Sequence, residues 1–390
     1  MLTDALNTYC WIFIFLIPVG VLQNYLIYKG DAKKVVIINT VTNLFKLFVS
    51  CLIIYFNKSN LQPLFLFLVL LQGCIFLIYI YSTFYRKKIQ LHWKSEFAFG
   101  QLKNGASLAS VTALSKLIFL TSGFYVSKLL STSDYAIYRS GAFEVPVLST
   151  FYAAITTIIL PEIHKLWSQE NTRSTIISLK RRIIQYSMLV NYPVVIFLIF
   201  NSGDLITLYL SPRYYQSAVV FAIYSLFLFI RVNDYEDVII ASKNSFIIFR
   251  YYLICFLFNS VIAYFLIKLL GNTGGAISLI ITVILISLLE LKKSLQLLQC
   301  NLNDLFSFKT TLKIISISLA IGTLSFAGKI FFLQSASLTV KVIFVTLFYF
   351  IVTYSLLYIG NVGHIKELKN IILKLSGTDK YLHKGIRNDS

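Results

Sequence analysis

The chain has 390 residues, of which 57% are hydrophobic and only 13% charged, with a formal net charge of +19. Soluble domains carry about 25% charged residues, so the composition is that of a multi-span membrane protein, and the Lys and Arg residues lie mainly between apolar stretches, where topology accounts for them better than nucleic acid does. The five cysteines, at 10, 51, 74, 255 and 300, fall in or beside apolar segments with no close pair, which leaves neither a disulfide frame nor a zinc site.

The opening from Met1 to Asn7 has no basic n-region and no small-residue cleavage site, so it does not read as a cleaved signal peptide. Beyond it the apolar runs predict eleven helical spans, over 9–28, 35–56, 61–84, 104–130, 135–160, 183–203, 214–240, 247–270, 273–291, 314–333 and 341–360. The expected fold class is therefore an all-α polytopic membrane protein. Lys46 and Lys116 sit well inside the second and fourth spans, too deep for a stem of ~6 Å to reach the interface, and should face a cavity. Lys128, Lys268 and Lys329 lie nearer the span ends and can snorkel.

The fifth span opens at the polar turn Ser131–Asp134 and runs apolar from Tyr135 to Leu160. At 1.5 Å per residue it is long enough to cross a ~30 Å hydrocarbon core. It contains Arg139 and Glu144, whose separation of five points them roughly 140° apart, so their partners should lie on other helices. Pro146 should kink the helix there. The link 162–182, like 85–103, mixes bulky apolar and basic residues as interfacial helices do, and ends in Lys180, Arg181 and Arg182.

The densest polar patch inside a span is Arg231, Asn233, Asp234, Glu236 and Asp237. Arg231 and Asp234 can share a helix face, Asp237 lies three beyond Asp234, and Glu236 points elsewhere. Two readings stand: a helix continuing to about 240, with Arg231, Asp234 and Asp237 serving a gate or ion coupling, or an exit at Ile230 into a solvated connection. A weak internal echo pairs Ile27–Lys33 and the later Asn43 with Ile240–Asn244 and the later Asn259, as repeated lobes would.

The connections after spans 1, 3, 5, 7 and 9, with the C-terminal tail, hold most of the 35 Lys and Arg residues and are expected to be cytoplasmic. An odd span count then puts the N-terminus outside. The outer connections are very short, which argues against a membrane glycosyltransferase or polymerase with an external catalytic loop. No phosphate-binding glycine loop, metal-ligand spacing or catalytic triad occurs, and His92, His164, His364 and His383 are scattered. Neither a catalytic residue nor a cofactor is expected. Cationic cavity residues with few carboxylates at mid-depth suit an anionic substrate.

Several stretches carry a family resemblance: Phe124–Tyr138, Thr157–Leu166 with its Pro161, Leu208–Ala218, Ile240–Asn244, and the Gly-rich Leu270–Ala276. In order and spacing they resemble the multidrug/oligosaccharidyl-lipid/polysaccharide exporter superfamily, and within it the polysaccharide-biosynthesis branch that includes O-antigen flippases. Departures are Ser122-Gly123, where relatives carry an acidic and a basic residue, Asp134-Tyr135-Ala136, which replaces acidic-Val-Gly, and Ser211, which replaces a glycine. The resemblance implies a flippase fold of two helical lobes around a central cavity. Spans 1–11 would match the family's fourth to fourteenth, making the N-terminal lobe incomplete. Residues 1–94 would then be a partial N-terminal lobe with a basic link, 95–299 the C-terminal lobe, 300–360 two additional spans and 361–390 a basic cytoplasmic tail.

The implied activity is translocation of an undecaprenyl-pyrophosphate-linked oligosaccharide, an O-antigen or capsular repeat unit, across a bacterial plasma membrane without covalent chemistry. Lys46, Lys116, Arg139 and Glu144 would line the substrate cavity. Implied partners are the lipid-linked glycan, H+ or Na+ for coupling, and the polysaccharide polymerase and chain-length machinery. The alternatives are a cation-coupled multidrug or metabolite efflux transporter of the same superfamily and a membrane polysaccharide polymerase.

Overall fold

A computed structural model describes residues 7–28, 31–56, 62–85, 95–143, 145, 156, 159–230, 235–332 and 337–362. Among these no strand occurs, and eight helices are long and apolar enough to cross a membrane. The chain divides into two compact units, Met1–Ala98 and Phe99–Ser390.

The smaller unit holds α1 (Ile12–Tyr28), α2 (Ala32–Phe56) and α3 (Gln62–Ile80), the last running into a π-turn over Tyr81–Tyr85. Its core is Val19, Leu26, Val35 and Tyr79. Asn39 ties the three helices together, its Oδ1 accepting from Gln23 Nε2 and from the Tyr79 hydroxyl, each at 3.0 Å. In hydrocarbon such a polar knot has no water to compete with it.

The larger unit begins with α4 (Ser95–Leu129) and α5 (Thr132–Gly141). Ser131 and Asp134 form a capping box at the start of α5, each satisfying the other's backbone N–H. The fifth span is not the single helix expected from its apolar run. Its helix ends at Gly141, which packs where a Cβ would lie 2.5 Å from the Ser217 carbonyl oxygen, and Ala142 leaves helical geometry at φ −86°, ψ 67°. Among the described residues helix is next present at 156 and over 159–167. The 140° argument for Arg139 and Glu144 therefore does not apply.

Next comes α6 (Arg173–Phe200), which starts ten residues before the predicted sixth span. Pro193 inside it has no N–H for the Leu189 carbonyl. The Tyr354 hydroxyl donates to that oxygen at 3.3 Å, and Tyr349 donates to the Pro193 carbonyl at 2.9 Å.

The seventh span is also broken. After α7 (Ser202–Tyr209) and the 3-10 turn Pro212–Tyr214 come α8 (Ser217–Ser225), α9 (Phe227–Ile230) and α10 (Asp237–Ala241). Ser211 holds φ 141°, a conformation an L residue enters at a cost and a glycine would adopt freely.

The remaining elements are α11 (Ser245–Leu270), α12 (Asn272–Leu298), α13 (Leu302–Leu305), α14 (Phe308–Phe332) and α15 (Leu338–Ile359). α11 and α12 form a hairpin whose turn requires Gly274, since a Cβ there would lie 2.1 Å from the Leu266 carbonyl oxygen. Helix ends alternate within this unit. Ile163, Ile176, Val238, Ala241 and Leu298 cluster at one end, while Asn272 Nδ2 meets Asp134 Oδ1 at 3.3 Å and Lys329 meets Asp204 at 2.8 Å at the other.

Candidate functional site: a cavity between α4, α9, α11 and α12

α4, α11 and α12 are joined by polar rungs buried in an apolar packing. Asn259 of α11 donates to the Ile118 carbonyl at 3.1 Å and accepts from Thr282 of α12 at 3.0 Å, and Ser122 pairs with Ser278 at 3.1 Å. Toward the Leu298 end the helices diverge around a cavity of about 310 Å³. Its wall carries Lys116, Thr112 and Ser115 from α4, Tyr252 from α11, Ser287 and Glu290 from α12, and Tyr235 and Glu236 from the turn before α10. Phe227, Ile230 and Ile286 supply an apolar side. The size and the mixture of apolar wall with a few converging polar groups fit a ligand site.

Of the residues singled out in the sequence, Lys116 lines this cavity and is exposed into it. Arg139 is exposed on α5 and is not among the lining residues. Lys46 belongs to the smaller unit and is exposed on α2 between Phe45 and Leu47. None of the three makes a hydrogen bond or an ion pair among the described residues. Glu144, Arg231 and Asp234 lie outside the described residues.

Asp237 is only 4% exposed and forms an ion pair with Lys180 of α6, itself 0% exposed. Lys180 thus departs from the solvated basic cluster expected at 180–182, because α6 begins early and carries it inside. The neighbouring Ser294 hydroxyl donates to the Tyr235 carbonyl and fixes the turn against α12.

Lys268 lies over the Tyr264 ring at 4.5 Å, and Lys329 pairs with Asp204, so these two end-lysines have protein partners. The two members of the internal echo sit differently: Asn259 is buried and bonded, while Asn43 is exposed.

Groups outside the spans titrate away from their ordinary values. Asp134 is held below the usual carboxylate range by hydrogen bonds from Ser131, and burial lowers His164 against a smaller opposing pull from Asp237. Among the described residues no cluster of His, Cys, Asp or Glu could hold a metal ion.

Sequence reasoning missed Glu290. Ending the ninth span at 291 put it at the membrane exit, whereas α12 runs on to Leu298 and leaves Glu290 about two turns inside, 5% exposed. A lone carboxylate in so apolar a run was the available signal.

No family model and no curated protein matches the chain. Among solved structures, it is similar to "Lipid II flippase MurJ, inward closed conformation", with a TM-score of 0.61 at 15% identity over 88% of this chain and 72% of that one. The chain has that flippase's fold. The expected all-α, multi-span helical fold class is thereby borne out, and the long apolar helices make the chain a multi-pass membrane protein.

Proposed function

We propose that the chain is a flippase for an anionic, lipid-linked glycan in a bacterial plasma membrane, working without covalent chemistry. The observation that carries this reading is Lys116, a cation with no ion pair among the described residues, opening into a cavity inside a bundle of flippase fold. A lysine at membrane depth is costly unless it faces water or a counter-charge. A pyrophosphate-linked sugar headgroup supplies that counter-charge while its lipid tail stays in the bilayer. Arg139 and Lys46 extend the same role to other parts of the passage, and Glu144 belongs with them. The finer substrate is an undecaprenyl-pyrophosphate-linked O-antigen or capsular unit, carried to the outer leaflet with the C-terminus cytoplasmic and handed to the polymerisation machinery.

Lys116→Ala should reduce surface glycan export at least about tenfold, the cost of one lost charge-assisted contact, with membrane protein levels unchanged. Surface polysaccharide immunoblots check both. Full export by Lys116→Ala, Arg139→Ala and the double variant would sink the cationic-cavity reading.

A second reading, cation-coupled efflux, is favoured by Glu236 and Glu290 on the same wall. It requires that Glu290→Gln abolish resistance to a cationic drug while glycan export continues. The gate or ion-coupling role of Arg231, Asp234 and Asp237, with H+ or Na+, is part of the same proposal.

A further inference from the structure

A second cavity, of about 550 Å³, opens at the opposite end of the larger unit, between α5, α7, α8 and the α11–α12 turn. Among the described residues its wall includes no charged side chain. Tyr215, 63% exposed, lines it with its ring over Gly203, where a Cβ would lie 2.8 Å from the ring. Beside it the exposed Gln216 makes no hydrogen bond among the described residues. Across the cavity Asn272 commits its Nδ2 to Asp134, while its buried Oδ1 has no hydrogen-bond partner among the described residues. Ser202 and Thr273 complete the polar rim.

From these features we propose that this cavity is a glycan subsite, taking an uncharged sugar unit. A pyranose has an apolar C–H face and a rim of hydroxyls. The Tyr215 ring offers the platform for the first, and the amides of Gln216 and Asn272 offer donors and acceptors for the second. The lack of cations excludes the pyrophosphate from this place, and the lack of carboxylates excludes a basic peptide. The charge bias of the connections puts this end outside the cell, so the subsite would hold the sugar after crossing. The assignment of a glycan as occupant rests on the flippase reading above.

The test uses the purified full chain in detergent and two sugars that carry neither lipid nor pyrophosphate, chitotetraose and maltotetraose, with saturation-transfer NMR as readout. The expected result is transfer onto at least one sugar, weakened about tenfold by Tyr215→Ala and by Gln216→Ala, and unchanged by Lys116→Ala. No transfer onto either sugar with the wild-type chain overturns the subsite. So does transfer that survives both substitutions, or a Tyr215→Ala chain that loses only its membrane level, the mark of an interfacial belt tyrosine. Because the sugars lack the charged group that Lys116 would attract, full export by Lys116→Ala, Arg139→Ala and the double variant would sink the cationic-cavity reading without touching this result.

Discussion

At the residue scale, the charged side chains separate by whether protein or open space faces them. Lys180 and Asp237 satisfy each other in a dry contact. Removing Asp237 costs Lys180 its buried ion pair where desolvation is expensive, so Asp237→Ala should destabilise the larger unit by about 3–5 kcal/mol. The Lys180→Met, Asp237→Leu double variant should recover most of that loss, and thermal unfolding in detergent distinguishes the two. Lys116 was legible in the sequence because a lysine that far from both span ends cannot carry its ammonium to the interface and needs a polar space of its own. The Lys180 pairing was not legible, since Lys180-Arg181-Arg182 looks like any basic link until α6 is seen to begin at Arg173.

Elements obey the apolar pattern except where two backbones meet. The predicted spans over α2, α3, α4, α11, α12, α14 and α15 correspond to continuous helices because nothing intrudes on them. The fifth span breaks just after Gly141, which packs against Ser217, a contact between residues far apart in sequence that no periodicity can announce. Gly274 makes the same point with a testable outcome. Gly274→Ala would drive a methyl into the Leu266 carbonyl and force the α11–α12 turn apart, costing about 1–3 kcal/mol as overpacking does. The check is a lowered melting temperature, while Gly328→Ala, with open space around it, should leave the melting temperature unchanged.

For the whole molecule, the charge bias and the alternation of helix ends make one statement about orientation. The 161–182, 235–244 and 299–307 connections gather at one end of the larger unit, and the 201–216 and 271–272 connections at the other. A cysteine replacing Arg213, in a cysteine-free background, should react with a membrane-impermeant maleimide on intact cells, whereas one replacing Lys243 should react only after lysis. The reverse pattern would invert the topology and move both cavities to the wrong side for export. Sequence speaks to orientation because loop charge is a summed property, insensitive to where individual helices break.

The hydroxyl that completes α6 comes from Tyr354, 165 residues later than the Leu189 carbonyl it serves. Synthesis runs from the N-terminus, so α6 enters the bilayer well before α15 has left the ribosome. Through that interval the oxygen that Pro193 leaves open must be solvated by something other than its final partner. The nascent chain therefore carries a vulnerable spot that only α15 heals, and assembly of this unit stays provisional until that helix has been made.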